Sequence, residues 1–369
     1  MSQPVIPVEV PLPVEVSDVT PEWLGAVLGV EVTGVEVLDR HSGTTGRARV
    51  GVTYASDEGG SPTSVFVKLP PFDEQQRAFV SAAGLGVAEA LFYRDLAKEI
   101  TLRIPGVHYS AVDDDNRYVM VIEDLTADNC RFPRPGDDDV AEWGGSLVEE
   151  LAALHAPYWD SSRLQDGGDL VWVTNGGRTG RNVPKGSGGG YIGMALEQFG
   201  DEMGPTFRRL AELYVANTAR IMEATLDEGT PTLIHGDPHL GNLFIETDDA
   251  GRDRVGFLDW AMLDRRTGMR DVSYVLCNSI PAEIRREHER DWVARYLATL
   301  ATLGVSLDAD TAWEQYRLYA VYSWVSATST AAVGNRWQAA KVGQGGMRRA
   351  TAAIEDLDTV AILEDRLGV

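Results

Sequence analysis

The sequence predicts an α+β protein of two lobes, a small β-rich one first and a larger, mainly helical one behind it. Three observations carry this. Short β-branched runs broken by glycine and aspartate fill residues 31 to 70 and recur between Gly106 and Ile122, as antiparallel strands do. From Asp137 onward apolar residues recur at helical spacing over most of the chain. A brief return of β-type patterning, Thr232 to Leu258, interrupts that helical half. A chain of 369 residues has room for two lobes or two domains.

Residues 1 to 16 alternate Val and Glu with interspersed prolines and read as an extended arm. Thr20-Pro21-Glu22 has the form of a helix start: an N-cap hydroxyl, Pro in the first turn and an acid near the dipole. Three strands are expected at Val32–Leu38, Ala48–Tyr54 and Thr63–Leu69, the last two joined by a turn at Asp57-Glu58-Gly59-Gly60. A helix follows over Leu85–Ile100, then strands over Gly106–Val112 and Arg117–Ile122. Asp137 to His155 is an amphipathic helix with acids in its first turn. Residues 161 to 190, rich in glycine, read as a long surface loop or lid, and helix resumes at Tyr191–Leu226. Short strands at Thr232–Ile234, Asn242–Glu246 and Arg254–Leu258 precede a helical remainder from Arg270 on. The division is therefore an arm and helix (1–30), an N-terminal lobe (31–123) and a C-terminal lobe (124–369).

Composition narrows the function. No apolar run approaches the roughly 20 residues that span a bilayer, and Met1-Ser-Gln-Pro-Val lacks the basic and apolar stretches of a secretory signal. Cys130 and Cys277 stand apart, outside any CxxC or Cys/His cluster, so neither a disulfide framework nor structural zinc is expected, and a cytoplasmic setting is. A net charge of −23 repels phosphate backbones and anionic lipid, which disfavours nucleic-acid or membrane partners. Only four of the 33 basic residues are lysines (Lys68, Lys98, Lys185, Lys341), so the place of each lysine is informative.

The most informative stretch is Leu233 to Ile245, LIHGDPHLGNLFI, followed by Phe257-Leu-Asp-Trp260. A strand delivers His235-Gly-Asp237, Asn242 comes five residues later, and a second strand ends in Asp259. Asn242 and Asp259 offer hard oxygen donors without sulfur, a set that suits Mg²⁺. Asp237 is then left to face a hydroxyl and take or orient its proton, the division of labour phosphoryl transfer requires.

The pattern His235-Gly-Asp-x-His-x-Gly-Asn242 with Leu-Asp-Trp260 resembles the signature of the aminoglycoside phosphotransferase and choline kinase family, which has a protein-kinase-like fold. That resemblance implies Asp237 as catalytic base, Asn242 and Asp259 as metal ligands, and Asp271 of the downstream Gly268-x-x-Asp as a brace for the catalytic loop. It also asks for a lysine on the third strand and an acid on the next helix. Val65-Phe66-Val67-Lys68 and Glu89 supply them, with Glu99 further along as a second, less central acid. Ser42, Gly43, Thr44 and Thr45 form a short loop able to fold over phosphates, though without a full GxGxxG. Glu123 and Leu125 fit a hinge whose backbone would bind adenine. Lys68-Leu-Pro-Pro71, Glu89-x-x-Phe-Tyr93, Glu123-Asp-Leu125 and Leu151-Ala-x-Leu-His-Ala156 resemble the ecdysteroid-kinase-like branch, whose members phosphorylate small-molecule alcohols.

The implied activity is transfer of the γ-phosphate of ATP, or GTP, to a hydroxyl of a small molecule with Mg²⁺. A catalytically inactive nucleotide- or ligand-binding homologue is the alternative. A protein kinase is disfavoured because His-Arg-Asp, Asp-Phe-Gly and Ala-Pro-Glu are missing. Plainer readings stand beside these. His235 and His239 have a zinc-like spacing, but their strand-and-turn flanks contain Pro238 and Gly241, and His235 is expected to hold the loop through backbone hydrogen bonds. His155 reads as a packing or capping residue. Trp313, Tyr316, Tyr319, Tyr322 and Trp324 form a stripe at near-helical spacing that reads as core, with a cleft lining as the alternative. Lys185 to Gly190 is expected to be a flexible segment.

Overall fold

In a computed structural model, residues 11–43, 45–56, 60–126, 130–174, 188–226, 229–334 and 340–369 are described. Alternation along the strands builds the first lobe. Five antiparallel strands, β1 (Val32–Ser42), β2 (Gly46–Tyr54), β3 (Ser64–Leu69), β4 (Val107–Val112) and β5 (Tyr118–Glu123), lie in the order β1-β2-β3-β5-β4. Successive strand residues face opposite sides. Ala48, Val50, Val65, Val67, Val119 and Val121 therefore enter one core with Trp23, Leu24 and Val27 of helix α1 (Pro21–Leu28). Tyr118, Met120 and Ile122 enter the other, shared with the second lobe. The same alternation turns Arg47, Arg49 and Lys68 away from the α1 core.

The expected start of α1 is formed: Thr20 Oγ1 accepts from Trp23 N at 3.2 Å and Pro21 is the first helical residue. Two readings need correction. A helix α2 (Glu74–Ala83) precedes the expected one, begun where Asp73 Oδ1 accepts from Gln76 N at 2.9 Å. The helix expected over Leu85–Ile100 is α-helical only through α3 (Leu85–Leu91), loosening to a π turn over Phe92–Leu96 and a 3₁₀ turn over Ala97–Glu99. β1 and β2 also run closer to their shared turn than expected.

The second lobe opens with a two-residue strand β6 (Cys130–Arg131), α4 (Val140–His155), a short α5 (Val171–Thr174) and α6 (Gly188–Leu226). Within the stretch expected as loop, α5 and the start of α6 are helical, and 175–187 with Lys185 lie outside the described residues. α6 breaks at Gly204 (φ 86°, ψ −179°), ahead of Pro205. Strand β7 (Thr232–Ile234) pairs with β10 (Asp264–Arg266), and β8 (Leu243–Thr247) forms a hairpin with β9 (Asp253–Phe257). α7 (Met269–Ser279), α8 (Ala282–Thr302), α9 (Ala309–Ala332), α10 (Ala340–Asp356) and α11 (Thr359–Leu367) complete it. An antiparallel N-terminal sheet lies over a larger helical lobe, the two-lobed α+β arrangement that the sequence predicts. No described helix is long and apolar enough to cross a membrane.

Candidate active site

The hairpin explains how Asn242 and Asp259 meet. Leu243 registers with Phe257, and Leu258 N donates to Asn242 O at 3.0 Å, so the residues flanking the two strands emerge side by side. Asp259 adopts φ 65°, ψ 68°, a left-handed backbone uncommon outside glycine, which costs roughly 1–2 kcal/mol and turns its side chain toward the first lobe. Trp260, next in the chain, stacks on Phe92 with ring centroids 4.1 Å apart and planes 8° from parallel.

Lys68 reaches the same place from β3. Its Nζ lies 2.5 Å from Glu89 Oε2 of α3 and 3.8 Å from Asp259 Oδ1. Glu89 is fully buried, and burial drives its pKa up even though Lys68 pulls it down. Asp259 ends lower than an ordinary carboxylate: burial pushes it up, but Lys68 and Arg47 together outweigh that. Glu99 pairs instead with Arg163, 2.7 Å away, and takes no part.

The His235–Asn242 loop is held from beneath. Asp271 Oδ2 accepts from His235 N at 2.7 Å and Oδ1 from Gly236 N at 3.0 Å, which is the bracing expected of it. His155, fully buried, sits 3.4 Å from Asp271 Oδ2 and 2.9 Å from Tyr296 OH, beyond the packing role expected for it. His235 Nδ1 accepts from Asp237 N at 3.2 Å, so Nε2 carries the proton and donates to Leu258 O at 3.1 Å. Burial lowers its pKa, and it holds backbone as expected. Gly236 has φ 84°, and a Cβ there would stand 2.0 Å from Met262 O, so only glycine fits.

Asp237 faces hydroxyls and amides. Tyr274 OH donates to its Oδ1 at 2.5 Å, and the Ser326 hydroxyl, 2.9 Å from Tyr274 OH, backs that contact. Asn242 Nδ2 donates to Asp237 O at 2.9 Å and lies 3.4 Å from Oδ2, with His239 Nε2 at 3.7 Å. Burial raises the Asp237 pKa against the pull of His239 and Tyr274, yet 29% of the side chain stays open to the cleft. A carboxylate so placed can accept a proton from a hydroxyl brought to it.

The remaining expected residues divide. Ser42 Oγ accepts from Phe72 N at 3.1 Å and Thr45 Oγ1 from Arg47 Nε at 3.1 Å, so these hydroxyl oxygens face inward, and Gly43 N closes the turn on Thr45 O. Thr44 lies outside the described residues. The Glu123 carboxylate is engaged by Arg103 (2.6 Å) and Gly106 N (2.7 Å), and Arg103 also grips Glu246. Leu125 is buried. Any contact of this segment with a ligand therefore falls to its main chain. Of the aromatic stripe, Tyr316, Tyr319 and Trp324 are core, Trp313 stacks under Arg290, and Tyr322 OH donates to Gly236 O at 3.1 Å beneath the Arg270 guanidinium.

Asn242 Nδ2 is taken by Asp237 O, which leaves its Oδ1 as an oxygen donor, and Asp259 offers a carboxylate just past the end of the paired strand. That oxygen pair fits Mg²⁺, which takes few protein ligands. The zinc-like arrangement is not formed: His239 Nδ1 accepts from Gly241 N at 3.0 Å and His235 is committed to backbone. Among the described residues no cluster of three or more His, Cys, Asp or Glu is placed to hold a metal.

Residues 191–308 match the model of the ecdysteroid kinase-like family. That segment is similar to this family. It contains Asp237, Asn242, Asp259 and Asp271, and the resemblance read from the sequence is borne out there. Similar solved structures include an ethanolamine kinase from Plasmodium vivax (13% identity, 86% of this chain and 81% of that one, TM-score 0.49). A choline kinase from Streptococcus pneumoniae is 12% identical over 92% and 97% of the two chains, TM-score 0.46. A GDP complex of aminoglycoside 2′-phosphotransferase-IIIa is 14% identical over 88% and 93%, TM-score 0.48. No curated protein matches the sequence.

Proposed function

We propose that the protein is a small-molecule kinase that transfers the γ-phosphate of ATP, or GTP, to a hydroxyl acceptor. The observation that carries this is a convergence: Lys68, Glu89, Asp237, Asn242 and Asp259, from four separate stretches, meet in one cleft. Lys68, held by Glu89, is aimed at the α- and β-phosphates. Asn242 and Asp259 are the residues that would hold Mg²⁺, which when bound neutralises phosphate charge. Asp237 receives the acceptor O–H, orients its lone pair for in-line attack and takes the proton. Tyr274 and Asn242 fix the carboxylate so that one oxygen edge stays turned to the cleft. Neither His235 nor Asp271 touches the reactants; they hold the loop in register.

The test is Asp237→Asn. Transfer to a panel of small-molecule alcohols should fall by about 10²- to 10⁴-fold, while calorimetric ATP binding with Mg²⁺ stays close to wild type. Transfer at the wild-type rate would overturn the assignment. Nucleotide binding without transfer in the wild type, over a broad acceptor panel, would favour a binding protein instead.

A further inference from the structure

Arg47 stands in the cleft outside every motif read from the sequence. It is the second residue of β2, directly after Gly46, and the alternation that sends Ala48 and Val50 into the upper core sends Arg47 toward the second lobe. In the sheet register it lies directly opposite Lys68. Like charges on opposed strand positions repel, so this pair needs an anion between them. Asp259 supplies it, with Arg47 Nη2 at 3.3 Å from Oδ2 and Lys68 Nζ at 3.8 Å from Oδ1. The guanidinium is also aimed: its Nε donates to the hydroxyl of Thr45, which is buried at the loop end. Yet 35% of the Arg47 side chain is exposed, so a ligand in the cleft can reach it.

The charge pattern says what such a ligand is. Glu89 is committed to Lys68, and Asp259 is shared between two cations. A polyphosphate brings several negative charges and oxygens spaced for a guanidinium fork, a better partner than half of one carboxylate. We infer that Arg47 is a phosphate-binding residue, parked on Asp259 until the nucleotide arrives. On binding, its guanidinium exchanges Asp259 Oδ2 for phosphate oxygens, which leaves that carboxylate oxygen among the donors that would hold a cation accompanying the nucleotide. This rests on the nucleotide reading of the cleft.

Calorimetric titration of wild type, Arg47→Ala and Arg47→Lys with ATP plus Mg²⁺, and separately with adenosine, tests it. Adenosine carries no phosphate, so it reads the base site and the integrity of the lobe. Arg47→Ala should weaken ATP by about 10- to 100-fold, leave adenosine unchanged, and be partly rescued by Arg47→Lys. Unchanged or tighter ATP binding in Arg47→Ala would overturn the inference and make Arg47 a tie between the lobes. An equal loss for adenosine would overturn it too, by tracing the effect to a damaged lobe. Thermal unfolding of the unliganded proteins checks folding, and should Arg47→Ala fail there, Arg47→Gln carries the same comparison. Wild type that binds neither ligand would sink the nucleotide reading itself, and this inference with it.

Discussion

Two aspartates of the same candidate site are treated oppositely by their surroundings. Asp259 is crowded by Lys68 and Arg47, which hold its carboxyl below the usual range in spite of burial. Asp237 has His239 and the Tyr274 hydroxyl beside it, too little to offset burial, and its pKa rises. The difference follows from which lobe faces each. The sheet presents Arg47 and Lys68 to Asp259, whereas Tyr274 of α7, backed by Ser326 of α9, presents its hydroxyl to Asp237. On the proposed function, one side would supply a permanent charge for cation and phosphate and the other a carboxylate that takes a proton. Opposite shifts on neighbouring carboxyl groups are how one site separates such roles.

The sharpest way to break the comparison is to neutralise each aspartate in turn. Asp259→Asn should abolish Mg²⁺-dependent ATP binding in calorimetry, whereas Asp237→Asn should keep binding and lose transfer. If both variants lose the same property, the two carboxylates share one task and the division fails.

Removing Lys68 probes the basic side next. Lys68→Met strands Glu89 as a buried carboxylate without its cation, which costs about 3 kcal/mol at neutral pH. Because burial already raises the Glu89 pKa, the stranded group binds a proton more tightly folded than unfolded. Stability lost by the variant is therefore absent at high pH and regained as pH falls through the raised pKa toward the unfolded value near 4.3. Denaturant midpoints of both proteins across that range read this, and a constant difference would count against a charged, buried Glu89.

The smallest effect sharpens the other side. A hydrogen bond donated to a carboxylate stabilises its charged form and lowers its pKa. Tyr274→Phe removes that donor, so the Asp237 pKa rises and the acid limb of kcat should move to higher pH. A lower kcat with an unmoved limb would reduce Tyr274 to a packing residue.

Much of this cleft is legible in the sequence. Strand alternation from Val65 and Val67 already sets Lys68 on the opposite face, and the strands between Asn242 and Asp259 already imply a hairpin that joins them. Arg47 was hidden because it reads as the end of a glycine loop, one arginine among many; counting back from Val50 and Ala48 puts it on the face of Lys68. Tyr274 follows Asp271 by three residues, a spacing that shares a helix face, so it could have been found from the bracing aspartate. Tyr322 was read with a core stripe because periodicity cannot tell a buried ring from one whose hydroxyl reaches a loop. The helix Glu74–Ala83 escaped because its apolar stripe is thin, although Asp73 with Gln76 three residues on is a capping signal.

The stack of Trp260 on Phe92 has a consequence for control. Phe92 directly follows the helix that carries Glu89, and Trp260 directly follows Asp259, so the two acids that flank Lys68 hang from opposite plates of one aromatic clamp. Both rings are fully buried. Swinging that helix outward would pull the plates apart and wet them, which for rings of this size costs several kcal/mol. On the proposed function, such a clamp would keep the machinery engaged between turnovers, so that control would fall to the arrival of the substrates and not to a helix that moves in and out of place.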